Sequence, residues 1–297
     1  MKYTRRSFIK TGTIGLGGLW LTGSAGIRQT QQFHDPYEIV EIGRTGIKTT
    51  RLCMGTGIRA SGGVSNLTRS GHENSVQLIR EIYGRGVRMF DAADSYGTHT
   101  ILGDALKVYP RRDFTIFTKI WFATRDAERV NIDAVVDRFL KELQTDYIDG
   151  VLLHCLTTGE WVTELSDYME AIDRLKQKGV IRAHGVSCHS LDAMKAAALE
   201  PWVDTCHCRY NPFGPRMDDT VENVAPVVTQ LHKAGKGVIG MKIYGEGTFA
   251  NDPEKKNQSL KYLLHSGDVD ILDIGMDKMS DLTDTEERIR LVNRINA

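Results

Sequence analysis

Four side chains with acid, base or hydrogen-bonding chemistry fall at the ends of three short apolar runs. The run 87–90 leads into Asp91, with Tyr96 and Gly97 on the loop beyond. Thr115-Ile116-Phe117-Thr118 leads into Lys119, and Val151-Leu152-Leu153 leads into His154. An apolar run of this length with a polar exit reads as a buried strand ending at a surface. A phenol is a proton donor with an ordinary pKa of about 10. A nearby ammonium favours the phenolate and lowers that value toward the working range. Lys119 can supply the charge, and Asp91 can hold Lys119 in place and protonated. His154 can hydrogen-bond a substrate oxygen and orient it. Singly, Asp91 reads as a loop cap, and Lys119 and His154 as satisfied polar strand ends. Together, at successive strand ends, they describe a general acid–base site acting on an oxygen that gains negative charge.

The elements that must position these residues repeat along the chain. Strand candidates lie at 51–54, 87–92, 114–118, 147–153, 181–186, 203–208, 238–241 and 271–274. Helical patterns lie between them, near 74–84, 100–108, 131–143, 161–178, 191–199, 222–234, 254–265 and 281–294. Val135, Val136, Phe139, Leu140 and Leu143, for example, recur at helical spacing as an apolar stripe facing a sheet. Strand–helix units of about thirty residues each describe a parallel α/β arrangement. Eight of them suggest a closed (β/α)8 TIM barrel, with the active site where the strands end. Ahead of the first unit, 38–42 and 47–50 read as two short strands across a glycine-containing turn. An open doubly wound sheet is the alternative. It wants a Gly-rich fingerprint after the first strand, and Gly55-Thr56-Gly57 lacks the third glycine at the required spacing.

Asp91 followed by Tyr96-Gly97 resembles the aldo/keto reductase signature. Thr118-Lys119-Ile120-Trp121, Leu152-Leu153-His154, Gly185-Val186-Ser187 and Tyr210-Asn211-Pro212 match four further signatures of that family in order. Each motif alone is weak, and five in order are specific. From about Tyr37 to about Arg288 the chain looks like one member of the superfamily. The resemblance implies one barrel over 37–297, its bottom closed by the hairpin. It implies a nicotinamide-dependent oxidoreductase that reduces an aldehyde, ketone or sugar-like carbonyl, or oxidises the alcohol. Tyr96 would be the general acid/base, Lys119 and Asp91 would tune it, and His154 would position the substrate. Trp121 would be an aromatic wall of the substrate pocket.

The same resemblance places NADP(H) or NAD(H) at the ends of strands five to eight. Ser187 matches the residue that meets the nicotinamide carboxamide. Cys188 stands where the family usually has Asn, His207 where it has Gln, and Met241 where a tyrosine stacks on the ring. A thioether packs there less specifically. Lys242 follows Met241 and joins the cofactor set. NADPH-preferring members carry a basic patch after strand eight, where this chain has Lys278 flanked by Asp277 and Asp281. Carboxylates disfavour a phosphate and can accept from a ribose hydroxyl, so both cofactors stay open. Few residues follow the last helical pattern, which implies an open site. The altered cofactor positions keep a second reading open, a binding or regulatory protein on the same barrel with a degraded cofactor site.

The first 25 residues differ from the rest. Thr4-Arg5-Arg6-Ser7-Phe8-Ile9-Lys10 precedes an uncharged stretch rich in Gly and Leu, with small residues at Gly23-Ser24-Ala25. This pattern describes an export signal, and Arg5-Arg6 with Phe8 resembles a twin-arginine signal. The apolar run is short and glycine-rich for a membrane span, so no stable anchor is expected; an anchoring N-terminus is the alternative. The expected partner is the twin-arginine export machinery, the expected location periplasmic, and 26–36 reads as a polar linker. Lys+Arg and Asp+Glu balance at 38 each across the 297 residues, so no bulk charge draws the protein to nucleic acid. Five cysteines, an odd number, do not describe a disulfide scaffold. His154-Cys155, Cys188-His189 and Cys206-His207-Cys208 end three adjacent strands and could ligate a transition metal. None of the pairs has structural-zinc spacing, however, and no metal is expected. If His207 points inward, alternation turns Cys206 and Cys208 toward the helices.

Overall fold

The computed structural model describes residues 34–121 and 129–294. The export signal over 1–25, and the linker up to residue 33, lie outside the described residues. Eight parallel strands close a barrel in sequence order: β3 (Leu52–Gly55), β4 (Met89–Asp91), β5 (Thr115–Ile120), β6 (Ile148–Leu156), β7 (Ile181–Cys188), β8 (Thr205–Arg209), β9 (Gly237–Met241) and β10 (Ile271–Gly275). The last returns to pair with the first, Asp273 opposite Cys53. Ahead of them, β1 (Ile39–Glu41) and β2 (Lys48–Thr50) form an antiparallel hairpin. The helices are α1 (Asn66–Ser70), α2 (His72–Arg85), α3 (His99–Leu106), α4 (Ile132–Leu143), α5 (Trp161–Glu164), α6 (Ser166–Gln177), α7 (Leu191–Leu199), α8 (Val221–Lys233), α9 (Pro253–Ser266) and α10 (Met279–Arg294).

Local signals account for the helices. In α4 the Asn131 side chain accepts from the Ala134 amide at 3.1 Å and caps the first turn. Ile132, Val136, Phe139 and Leu143 face inward at helical spacing and are buried. The helix stops where Gln144 takes a left-handed conformation, φ 53°. Truncating Phe139 to Ala would cost about 3–5 kcal/mol. Two details depart from expectation. The pattern over 161–178 is two helices, broken at Leu165, whose φ of −115° is not helical. The short α1 buries only Leu67 and has no stripe to read; a Ser65–Thr68 capping box holds it.

Strand alternation divides the core in two. Phe90, Cys206 and Cys208 point outward into the layer between strands and helices. Cys53, Met89, Phe117, Leu152, Ala183, Ile239 and Ile271 point inward and meet Ile42 and Ile47 at the end of the hairpin. The hairpin thus plugs the end where the strands begin. Its turn is tied down by polar contacts: the Gly43 and Val238 amides both donate to Asp270 Oδ2 at 3.0 Å. The Arg44 amide donates to the Gly235 carbonyl at 2.9 Å. A groove of about 340 Å3 beside this turn, lined by Arg44, Leu199, Lys236 and others, includes none of the acid–base residues.

Candidate active site

Asp91 is the last residue of β4, and Lys119 the penultimate residue of β5. Both are nearly enclosed, at 2% and 1% exposure. The Lys119 ammonium forms a short ion pair with Asp91 Oδ2 and donates to the Ala92 carbonyl at 2.9 Å. The other Asp91 oxygen lies 3.0 Å from His207 Nε2. Burial alone would raise the Asp91 carboxyl; Lys119 and His207 outweigh it and hold it at about 2. Burial alone would lower the Lys119 ammonium, and Asp91 outweighs that too, so the pKa is raised. The pair therefore stays charged across the physiological range.

Tyr96 sits half-buried above this pair, with Lys119 Nζ 5.1 Å from its ring centre. The loop that carries it is anchored on both sides. Thr56 Oγ1 donates to the Asp91 carbonyl at 2.8 Å and meets Thr98 Oγ1 at 2.9 Å. Arg138 of α4 pairs with Asp94 at 2.9 Å. Gly97 takes φ 67°, a conformation that disfavours side chains. A Cβ at Gly57 would collide with the Tyr96 ring. The Gly55-Thr56-Gly57 stretch that failed as a dinucleotide fingerprint thus makes room for the phenol. One expectation is corrected. Burial pushes the Tyr96 phenol up to about 12, and the lowering by Lys119 does not offset it.

His154 of β6 presents its ring edge-on to Tyr96, centroids 5.7 Å apart, and to Trp121 at 5.4 Å. Burial, with Lys119 next, lowers its imidazole to about 2, so it is neutral at pH 7. Its Nδ1 is enclosed and has no hydrogen-bond partner among the described residues. Trp121 is 48% exposed at the rim. Beyond His154, β6 bulges between Leu153 and Leu156, and Cys155 takes φ 59°. Its thiol faces His189 Nε2 at 3.5 Å. The four acid–base residues and the tryptophan thus meet at one end of the barrel.

The expected cofactor residues divide. Ser187 points inward opposite His207, its Oγ enclosed and without a partner among the described residues. That orphaned hydroxyl fits a carboxamide contact. Met241 ends β9 and is 8% exposed. Lys242 follows in a left-handed conformation, its ammonium 2.9 Å from Glu246. Cys188 requires correction. Alternation turns its thiol away from the mouth into a buried cluster, 3.7 Å from the Cys206 sulfur, so that side chain cannot meet a cofactor at the mouth. His207 is fully buried, its Nε2 at hydrogen-bond distance from Asp91, while its enclosed Nδ1 has no partner among the described residues and is the atom left for a cofactor contact. At the start of α10, Asp281 Oδ2 accepts from the amides of Asp277 and Lys278 at 3.0 and 3.2 Å. Those two amides precede the helix, and Asp281 sets a carboxylate at its start, where a phosphate would meet like charge. Asp277 accepts from Asn66 at 2.7 Å, and Lys278 is exposed.

Asp273 of β10 is a site residue that sequence reasoning missed. It turns inward beside Asp91 and His207, and one polar atom from each lies within 4.8 Å of the other two. A legible signal existed: an acid in the middle of the apolar strand Ile-Leu-Asp-Ile, in phase with inward Ile271.

The sequence model described as the aldo/keto reductase family matches residues 51–288. The Bacillus subtilis aldo-keto reductase YhdN is 31% identical over 245 residues, 76% of this chain and 70% of its own length. The L-galactose dehydrogenase of Arabidopsis thaliana is 28% identical over 218 residues, 68% of this chain and 64% of its own length. The chain therefore spans about two thirds of these relatives. A Pseudomonas aeruginosa structure assigned to the aldo-keto reductases superposes with a TM-score of 0.69 at 22% identity, covering 87% of this chain and 96% of that one. At that identity the likeness concerns the fold.

Proposed function

The chain is an oxidoreductase of the aldo/keto reductase family, and we propose that it reduces an aldehyde, ketone or sugar-like carbonyl with Tyr96 as the proton donor. The observation that carries this reading is the charged Lys119–Asp91 pair beneath Tyr96, with neutral His154 edge-on beside it. A bound nicotinamide supplies the hydride. His154 donates a hydrogen bond to the carbonyl oxygen and orients it. As that oxygen gains charge, Tyr96 gives it the phenolic proton. Lys119 stabilises the phenolate that remains, and Asp91 holds the ammonium in place. A phenol held at about 12 is protonated at neutral pH, which favours reduction as the starting direction. Trp121 offers an exposed aromatic face to the substrate. The L-galactose dehydrogenase relative supports a sugar-like carbonyl.

Ser187, Met241, Lys242 and Lys278 are the residues proposed to hold the dinucleotide. Asp277 and Asp281 set carboxylates beside Lys278 at the start of α10, which supports weak discrimination between NADH and NADPH. Titration of each by fluorescence tests this, with affinities expected to agree within about tenfold, or 1.4 kcal/mol. A hundredfold preference for NADPH would show that another basic group supplies the phosphate site. Binding of neither would favour the binding-protein reading, toward which the outward Cys188 leans.

Delivery to the periplasm by the twin-arginine route is proposed from Arg5-Arg6 with Phe8 ahead of an uncharged stretch ending in small residues. No helix among the described residues is long and apolar enough to cross a membrane. Changing both arginines to lysine should leave the protein in the cytoplasm with its longer N-terminus. Periplasmic delivery of that variant, followed by fractionation and mass, would overturn the assignment.

A further inference from the structure

In a (β/α)8 barrel, alternate strands send side chains into a common interior layer. Here β4, β8 and β10 contribute Asp91, His207 and Asp273 to one such cluster, within 4.8 Å of one another. Its hydrogen bonds leave two enclosed atoms without a partner among the described residues, His207 Nδ1 and Asp273 Oδ1. Asp91 is complete, with Lys119 on one oxygen and His207 on the other. As Asp91 is an acceptor, His207 donates through Nε2, and burial keeps that imidazole neutral. One ammonium thus lies among two carboxyl groups, bonded to Asp91 and acting on Asp273 only through space. Asp273 Oδ1 has no hydrogen-bond partner among the described residues. The missing side chain of Gly55 gives this oxygen its place, since a Cβ there would come within 2.5 Å of it.

We propose that Asp273 is a further positioning residue of the acid–base site, holding a proton beside Asp91 so that Asp91 is the only anion acting on Lys119 and Tyr96. This rests on the reading of Tyr96 as the acid. The groups facing Asp273 are the buried Cys53 thiol of β3, Asp91 of β4, Lys119 of β5, His207 of β8 and Lys242 after β9. Lys242 is already paired with Glu246. Burial, with Asp91 next, pushes the Asp273 carboxyl up to about 8. The Oδ1 of Asp273 is enclosed, while the residue as a whole is only partly so. Loss of its proton would place a second anion near Tyr96 and oppose formation of the phenolate. Carbonyl reduction would then decline as pH rises through about 8.

Asp273→Asn keeps the size of the protonated acid and cannot ionise. The readout is the ratio of turnover at about pH 9.5 to that at about pH 6.5, within each protein. Across an alkaline limb of unit slope the rate falls about tenfold per pH unit. The variant should therefore raise this ratio at least tenfold over the parent. A second readout needs no turnover: the infrared carbonyl band of a protonated carboxylic acid, present in the parent at pH 7 and absent from the variant. A parallel pH profile in the two proteins, or no such band, would overturn the proposal. So would stoichiometric retention of zinc by the parent and its loss from the variant, because a cation rather than a proton would then neutralise the layer. An inactive parent that still shows the band would sink the reading of Tyr96 and leave the protonated Asp273 standing.

Discussion

The two ends of the barrel interior are built from the same strands and opposite chemistry. At the hairpin end, Ile42, Ile47, Met89, Phe117, Leu152, Ile239 and Ile271 pack against one another. At the other end the same inward faces carry Asp91, Lys119, His154, His207 and Asp273. Fully burying a large aliphatic side chain stabilises a fold by about 1.5–3 kcal/mol. A buried ion pair contributes little net, because desolvation offsets its attraction, yet removing one partner is costly. The hairpin end therefore holds the barrel closed, and the mouth can carry groups selected for chemistry.

Substitutions at the two ends should separate rate from stability. The largest effect is expected at the mouth. Tyr96→Phe keeps the ring and removes the donor, so turnover should fall about 10²- to 10⁴-fold with an unchanged melting temperature. Near-normal turnover would remove Tyr96 as the acid and leave His154 as the next candidate. The converse test is Ile47→Ala at the hairpin end. It should cost about 2–5 kcal/mol of stability, measured by denaturant unfolding, with kcat and KM retained below the melt. Loss of turnover in the folded variant would show that the two ends are coupled.

The smallest effect concerns pH and sharpens the contrast within the mouth. Asp91 is depressed to about 2 in the fold from an ordinary 3.8. Its contribution is present above 3.8 and lost as pH falls toward 2. Asp273 has the opposite sign, being raised from 3.8 to about 8. Between those values the unfolded chain ionises while the folded barrel keeps the proton, so stability is lost as pH rises across that window. The melting temperature of Asp273→Asn minus that of the parent should be smallest near pH 4 and level off above pH 8. A difference independent of pH would mean that Asp273 is ionised in the fold.

Much of this architecture was readable before any coordinates. Eight apolar runs with helical stripes between them located all eight barrel strands to within a few residues, because burial on both faces leaves a continuous apolar signature. Asp91, Tyr96, Lys119 and His154 stood out because polar groups that end buried strands are conspicuous. α1 did not, since a capping box rather than an apolar stripe holds it. Cys188 was assigned from its place in a motif. Alternation from Ser187 would have turned it outward, and the buried sulfur cluster is where it lies.

Local pattern specified which residues alternate, where strands end and which side chains could exchange protons, because these depend on neighbours along the chain. Closure of the barrel decided the rest. Asp91, His207 and Asp273 are separated by more than sixty residues each way and touch only because β4, β8 and β10 face one interior. No spacing rule links them. The same closure crowds the half-buried Tyr96 with enough protein that desolvation outweighs the nearby ammonium, a balance that residue types alone leave open. It also turns His207 Nε2 onto Asp91, since the hydrogen bond it makes depends on what lies across the barrel.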